Sequence, residues 1–407
     1  MRKNAEKIIR ESIQKVLPDA AVKRALEGKV FPGKVVLVAA GKAAWQMGKT
    51  AYDCLGDDIT AGIIITKYGH IQGSVGHILC REAGHPVPDE NGFQATREAV
   101  KMVSGLKEKD TVLFLLSGGG SALFELPLIP EEELQDITNQ LLASGADITE
   151  INTIRKRLSA VKGGRFAQIA APAQVFSVVL SDVLGDKLDM IASGPAFPDS
   201  STCEEALQIA EKYNLKLSAQ AQALLQEETP KALTNVETLV TGSVRELCAA
   251  AANACRGLGY ETVILTDSLS CEAKKAGMWL AQIAVENAGK GKKLAFVAGG
   301  ETVVKLTGKG KGGRNQELAL SAAAGIDGVE GVAVFSVGSD GTDGPTDAAG
   351  GYVDWQTAEK LRDQNIQIAD VLADNDAYHA LEKVDGLIFT GPTGTNVNDV
   401  AVVLISR

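Results

Sequence analysis

The chain has 407 residues, of which 45% are hydrophobic, 23% charged and 5% aromatic. This composition excludes a disordered chain and favours two domains. Its 41 basic and 51 acidic residues leave a formal charge of −10, which argues against nucleic acid or an anionic membrane as the main partner and requires a local basic pocket for any anionic substrate.

In chain order, Met1-Arg2-Lys3-Asn4-Ala5-Glu6-Lys7 leads into an amphipathic helix without the apolar core of a signal peptide. No apolar run approaches the roughly 18 residues that a membrane span requires. The six cysteines are scattered without a C-x-x-C pair and the four histidines lack helical metal spacing, so a reducing, cytoplasmic setting is expected and a zinc site is not. Val/Ile/Leu runs at 35–40, 63–66, 112–116 and 175–180 read as buried strands, with helical spacing at 91–106 and 131–144 between them. Continuous apolar strands separated by helices predict a mostly parallel sheet covered on both faces. From about Cys203 to Thr234 helices follow one another, and Glu227-Glu228-Thr229-Pro230 breaks them. Strands at 238–241, 262–266, 294–298, 332–337 and 401–405, with helices at 243–258 and near 271–286, form a second alternation. The expected division is therefore 1–230 and 231–407.

Ligands in open α/β sheets bind beyond the carboxyl ends of strands. At the end of the 112–116 strand stands Ser117-Gly118-Gly119-Gly120-Ser121, whose glycines permit an inward-turned nest of N–H groups and whose hydroxyls add donors for a phosphate or carboxylate. A tight turn without a ligand is the alternative. After the first strand, Gly48-Lys49-Thr50 matches the end of a P-loop, but Ala43 replaces the required glycine and Trp45, Gln46 and Met47 would crowd a phosphate. Lys42, a cation beside a helix N-terminus, makes sense if it shares an anion with those N–H groups; otherwise it is an exposed lysine.

Gly308-Lys309-Gly310-Lys311-Gly312-Gly313 satisfies G-x-G-x-x-G, yet the preceding 302–307 segment carries Lys305 mid-strand, as a half-exposed antiparallel hairpin does. Four cations, Lys305, Lys309, Lys311 and Arg314, stand between 302 and 316 with no acid. They suit a polyphosphate, with Arg314 as a clamp on a transferring phosphoryl group, or else they form a solvated basic loop. The stretch 315–359 contains no Lys or Arg, and its loop carries Asp340, Asp343 and Asp347. Mutually repelling carboxylates of this kind fit Mg²⁺ with substrate phosphates, or acidic turn residues in solvent. Asp182, after the strand ending at 180, is a catalytic candidate for orienting a substrate hydroxyl or accepting its proton, with a cap or turn aspartate as the alternative.

The ordered set Ala40-Gly41-Lys42-Ala43, Gly84-His85-Pro86, Ser117-Gly118-Gly119-Gly120-Ser121, Ser181-Asp182 through Gly194-Pro195, Gly299-Gly300-Glu301-Thr302, Gly312-Gly313-Arg314-Asn315-Gln316-Glu317, Asp340-Gly341-Thr342-Asp343-Gly344 and Thr393-Gly394-Thr395-Asn396-Val397-Asn398-Asp399 resembles the glycerate kinases whose C-terminal half is the MOFRL domain. The resemblance implies an α/β protein with an N-terminal Rossmann-like domain, a smaller C-terminal α/β domain and an active site in the cleft between them. It implies ATP-dependent phosphorylation of D-glycerate at the 2-hydroxyl, with Lys42 and Arg314 as catalytic candidates; Mg²⁺ is the cofactor expected from the aspartate loop. Ser117, Gly118, Gly119, Gly120, Ser121 and Asn315 are then assigned to substrate or phosphate, and Lys309, Lys311, Thr395 and Asn396 to nucleotide. Relatives labelled hydroxypyruvate reductase keep an NAD(P)H-dependent reductase as the alternative; a non-catalytic anion sensor is a further one.

Overall fold

In the computed structural model, residues 1–181 and 188–406 are described; Asp182 lies outside them. The chain divides into two units, Ala21–Thr241 and Met1–Ala20 with Gly242–Arg407.

The first unit is built on β1 (Val35–Ala40), β2 (Ile59–Lys67), β3 (Leu79–Ala83), β4 (Thr111–Leu116), β5 (Gln174–Val179) and β6 (Val236–Val240). They form one parallel sheet of order β3-β2-β1-β4-β5-β6. Because side chains alternate across a strand, Val36, Val38, Val112 and Phe114 enter one core, and Val35, Leu37, Leu113 and Leu115 enter another on the opposite face. The Glu90–Val103 helix covers the first face through Ala95, Ala99 and Val103, and the Ala44–Leu55 helix covers the second through Ala44, Met47 and Ala51. Asp89 caps the former by accepting the Gly92 N–H at 3.0 Å. The direction of winding reverses between β1 and β4, so the loops leaving these neighbours meet at the place where doubly wound sheets bind ligands.

The second unit contains β7 (Glu261–Leu269), β8 (Leu294–Gly300), β9 (Val332–Gly338), β10 (Gly350–Asp354), β11 (Leu387–Ile388) and β12 (Asp399–Ile405), in the order β11-β10-β9-β12-β8-β7. Strand β12 runs antiparallel between β8 and β9. Its first residue, Asp399, therefore pairs with the last residues of both neighbours, Gly300 and Gly338. That arrangement brings the β8 end, the β9 end and the β12 start to one edge. The Ala273–Asn287 and Arg314–Gly325 helices pack on one face through Ala276, Leu280, Leu318 and Ala322.

Three features differ from the sequence expectation. The units meet at 241/242 rather than 230/231, because β6 adds to β5 as the sixth parallel strand of the first sheet. Residues 1–20 group with the later half: the Arg2–Lys15 helix packs on the Val244–Gly257 helix, Arg2 Nη2 donates to the Leu387 carbonyl at 2.7 Å, and Asn4 Nδ2 donates to Tyr260 at 2.9 Å. Furthermore, 302–307 is no hairpin; Val303 makes only an isolated parallel bridge to Glu272.

Candidate active site

In the first unit the loops after β1 and β4 are joined directly. The Lys42 N–H donates to the Gly118 carbonyl at 2.9 Å, and the Ala43 N–H donates to Ser117 Oγ at 3.0 Å. Gly41, at φ +125°, lies so close to Ser117 that a Cβ would stand 2.2 Å from its Oγ. The approach thus demands glycine. Ser117 is buried and its hydroxyl serves this joint, so it braces the loop rather than facing a ligand.

Gly119 adopts φ +87°, and a Cβ there would sit 3.1 Å from His85 Nε2 and 3.2 Å from Lys42 Cγ. Lys42, His85 and the turn of the loop consequently share one small space. Burial, and then the neighbouring Lys42, Lys67 and His70, lower the His85 pKa. Among the described residues no carboxylate pairs with Lys42, and no acceptor takes the N–H of Gly118 or Gly119. Two half-buried N–H donors and an exposed ammonium group thus stand together at a strand end, a combination whose chemistry suits an anion. Gly120 packs tightly, since a Cβ would stand 2.7 Å from that of Ala192.

In the second unit Arg314 opens its helix at the edge where β8, β9 and β12 converge. Its Nε and Nη2 donate to the two oxygens of Asp399 at 2.5 and 3.1 Å, and Nη1 donates to Glu301 at 2.9 Å. Burial alone would lower the Arg314 pKa, but the Asp399 bond and the charges of Asp399, Glu301 and Asp343 overturn this and raise it. The guanidinium is therefore a permanent, oriented cation. Nε and Nη2 are fixed by buried Asp399, while the remaining nitrogen, Nη1, faces exposed Glu301.

Asp343 has a different task from the one its loop suggests. It is 3% exposed and accepts the N–H groups of Asn315 and Gln316 at 3.1 and 2.8 Å, supplying from a distant loop the cap that Gly313 lacks. Burial pushes its carboxyl up to about 6. Asn315 is buried, donating to Asp343 at 3.3 Å and accepting from Ser336 at 2.5 Å, so its amide holds the fold around Arg314. Asp347 receives the Tyr378 hydroxyl at 2.8 Å and Asp340 the Thr342 N–H at 3.0 Å. The three aspartates do not gather. Among the described residues no group of three or more His, Cys, Asp or Glu side chains could hold a metal ion.

The 308–313 loop is not an open cradle. Thr307 and Gly308 donate to Asn375 Oδ1, Lys309 to Asp374 Oδ1, Gly310 to the Asp374 carbonyl and Lys311 to Asp376 Oδ1, all between 2.7 and 3.0 Å. The Lys309 side chain is exposed, and the Lys311 ammonium stands 4.1 Å from the Tyr378 ring centroid. The Thr395 hydroxyl is buried on the Val16 carbonyl at 3.0 Å, and Asn396 Oδ1 accepts from the Asn398 N–H at 3.3 Å.

Sequence reasoning missed Asp399 and Glu301 as partners of Arg314, although both stand in motifs it singled out. It also missed buried Asn152, Lys162 and Ser193, and half-buried Arg155, around Ser121. The one local signal was Arg155-Lys156-Arg157, a dense run of cations in a helix that also carries apolar Ile151 and Ile154.

Residues 4–226 match a domain of unknown function, DUF4147, and residues 294–399 match the MOFRL family. The chain is 53% identical to a D-glycerate 2-kinase of Thermotoga maritima, over all of this chain and 98% of that one. It is 41% identical to a glycerate 2-kinase of Pyrococcus horikoshii, over 94% of this chain and 90% of the relative. The crystal structure of a Thermotoga maritima glycerate kinase superposes with a TM-score of 0.96 at 52% identity, covering 99% of both chains.

Proposed function

Because the chain belongs to the glycerate kinase family that carries a MOFRL domain, we propose that it transfers the γ-phosphoryl group of ATP to the 2-hydroxyl of D-glycerate, giving 2-phosphoglycerate and ADP. The observation that supports this reading best is the pair of N–H donors at Gly118 and Gly119, without an acceptor among the described residues, beside Lys42 at the reversal point of the parallel sheet. Such a site binds an anion through backbone donors and a mobile charge.

Phosphoryl transfer demands little covalent chemistry from the protein; positioning and charge neutralisation dominate. The glycerate hydroxyl oxygen attacks γ-phosphorus as the bond to the β-phosphate oxygen breaks. Lys42 and Arg314 are the proposed catalytic cations. Lys42 offers a phosphate a mobile point charge, whereas Arg314, oriented by Asp399, offers one the N–H of Nη1 that Glu301 does not take. The 118–121 segment holds glycerate. Lys309 and Lys311 remain candidates for the nucleotide only through their side chains, because their N–H groups are engaged.

Asp340, Asp343 and Asp347 do not fit a resident magnesium site: they do not converge, and Asp343 is committed to a helix start. A magnesium ion carried by the ATP phosphates would need few ligands from the protein and would supply charge neutralisation there.

The reductase alternative has no support left in the 308–313 loop, where four successive N–H groups are held by the 374–376 turn. The deciding experiment supplies ATP and D-glycerate, measures ADP, and identifies the phosphorylated carbon by NMR of the product. ADP formation that depends on glycerate is expected. NADH consumption with hydroxypyruvate and no ATP turnover would overturn the kinase reading.

A further inference from the structure

Ser121 is held more firmly than a half-exposed turn residue requires. Its carbonyl accepts from Lys162 Nζ at 2.8 Å and from Arg155 Nη2 at 3.1 Å. Both cations are paired with buried Glu125, at 3.4 and 3.5 Å. Its hydroxyl lies 3.4 Å from Ser193 Oγ, and Ser193 Oγ lies 2.9 Å from Asn152 Oδ1, with Ser193 and Asn152 both buried. Ser193 belongs to a turn in which Ala192, Ser193 and Gly194 all have positive φ, at 50°, 60° and 63°. Non-glycine residues persist in that region only when their surroundings over-determine them. Here Gly163 and Gly164 donate to the Ser193 and Gly194 carbonyls at 3.0 and 2.7 Å.

Proton accounting along this row fixes its polarity. Asn152 Oδ1 is a carbonyl oxygen and can only accept, so the single Ser193 proton points to it. Ser193 then has only lone pairs to offer Ser121, and the proton between the two hydroxyls belongs to Ser121. What remains at Ser121 Oγ is acceptor capacity. On this accounting the hydroxyl accepts where the sequence expectation has it donate to a phosphate or carboxylate.

We infer that Ser121 Oγ accepts a hydrogen bond from a hydroxyl group of the substrate and so selects a hydroxy acid, with Asn152 acting through Ser193 as the positioning residue that sets this polarity. The inference rests on the proposed role of the 118–121 segment in holding glycerate. Carboxylate and phosphate oxygens only accept at neutral pH, so the donors that glycerate can bring are its two hydroxyls. A site built to pair with a hydroxyl discriminates against the analogue that lacks it.

The test is calorimetric binding to the full chain, without nucleotide, of D-glycerate, D-lactate (no 3-hydroxyl) and 3-hydroxypropionate (no 2-hydroxyl). Ser121→Ala should weaken D-glycerate by about three- to tenfold and leave unchanged the one analogue lacking the accepted hydroxyl. That analogue identifies which hydroxyl is read. Ser193→Ala, which lets the Ser121 proton turn outward, should narrow the gap between glycerate and the same analogue. Equal losses for all three acids would place Ser121 on the carboxylate and overturn the inference, as would no loss for any. A chain that binds no glycerate at all would overturn the kinase reading first, and this inference with it.

Discussion

Two glycine-rich loops of this chain look interchangeable as strings and differ in what their backbones do. In the 117–121 loop the N–H groups of Gly118 and Gly119 have no acceptor among the described residues, with Lys42 beside them. In the 308–313 loop, Gly308, Lys309, Gly310 and Lys311 all donate to the turn at 374–376. Glycine is required in both, for opposite reasons. Gly119 needs its positive φ to turn donors outward, whereas Gly308 and Gly310 let another segment approach; a Cβ would stand 2.2 Å from Asp374 Cα or 2.4 Å from Asp376 Cβ. A glycine fingerprint reports a close backbone approach. Whether the approaching group is a phosphate or the protein itself depends on residues elsewhere in the chain.

The largest effect is expected at the cations. Removing a clamp on developing phosphoryl charge costs several kcal/mol, so Arg314→Ala should lower kcat by about 10²-fold or more, and Lys42→Ala by a comparable factor. Arg314→Lys should recover little, because a lysine cannot keep the two-point hold of Asp399 while offering N–H groups to phosphate. Steady-state kinetics on the purified variants decide this. Near-normal turnover would remove either residue from the chemistry.

The next two substitutions test the loops against each other. Gly119→Ala places a methyl group at 3.1 Å from His85 and 3.2 Å from Lys42, in a left-handed conformation. It should lower kcat/KM by about tenfold or more while thermal stability falls only by the roughly 1–2 kcal/mol of the backbone strain. Gly310→Ala should do the reverse: overpacking against the 374–376 turn costs about 1–3 kcal/mol of stability. The KM for ATP should stay within about twofold if the loop's backbone has no phosphate to hold. A large rise in that KM at unchanged stability would show that the two loops are alike after all.

The same contrast explains what could be read from the sequence. Strands β1, β4 and β9 are mostly apolar and buried throughout, β5 is buried from Val175 on, and their pattern is unmistakable. Strand β3, Leu-Cys-Arg-Glu-Ala at the sheet edge, is largely half-exposed and has no apolar run to find. Lys42 and the 117–121 loop are legible because both follow such strands at once. Asp399 is not legible as the partner of Arg314, because the two stand 85 residues apart and meet only through the antiparallel insertion of β12, and periodicity carries no strand direction. Asp343 was misjudged for a related reason. Its loop is acidic and cation-free, but the N–H groups that take its carboxylate belong to a helix that starts 29 residues earlier.

That helix capping yields the smallest effect and the sharpest sign. Burial raises the Asp343 carboxyl from its ordinary value near 3.8 to about 6, so the folded chain holds this proton where the unfolded chain has released it. Linkage then makes the contribution of Asp343 to stability complete below about pH 4 and progressively lost as pH rises through about 6. Paired carboxylates such as Glu150, held down to about 2 by Lys212 and Tyr213, have the opposite sign, and their term is lost on acidification towards pH 2. Asp343→Asn removes the first slope and leaves the second. Chemical unfolding followed from pH 4 to pH 7 should therefore show a shallower fall in stability for the variant than for the unaltered chain. Parallel profiles would mean that the two backbone N–H groups outweigh the burial and keep Asp343 ionised throughout, returning it to the charges available for binding a cation.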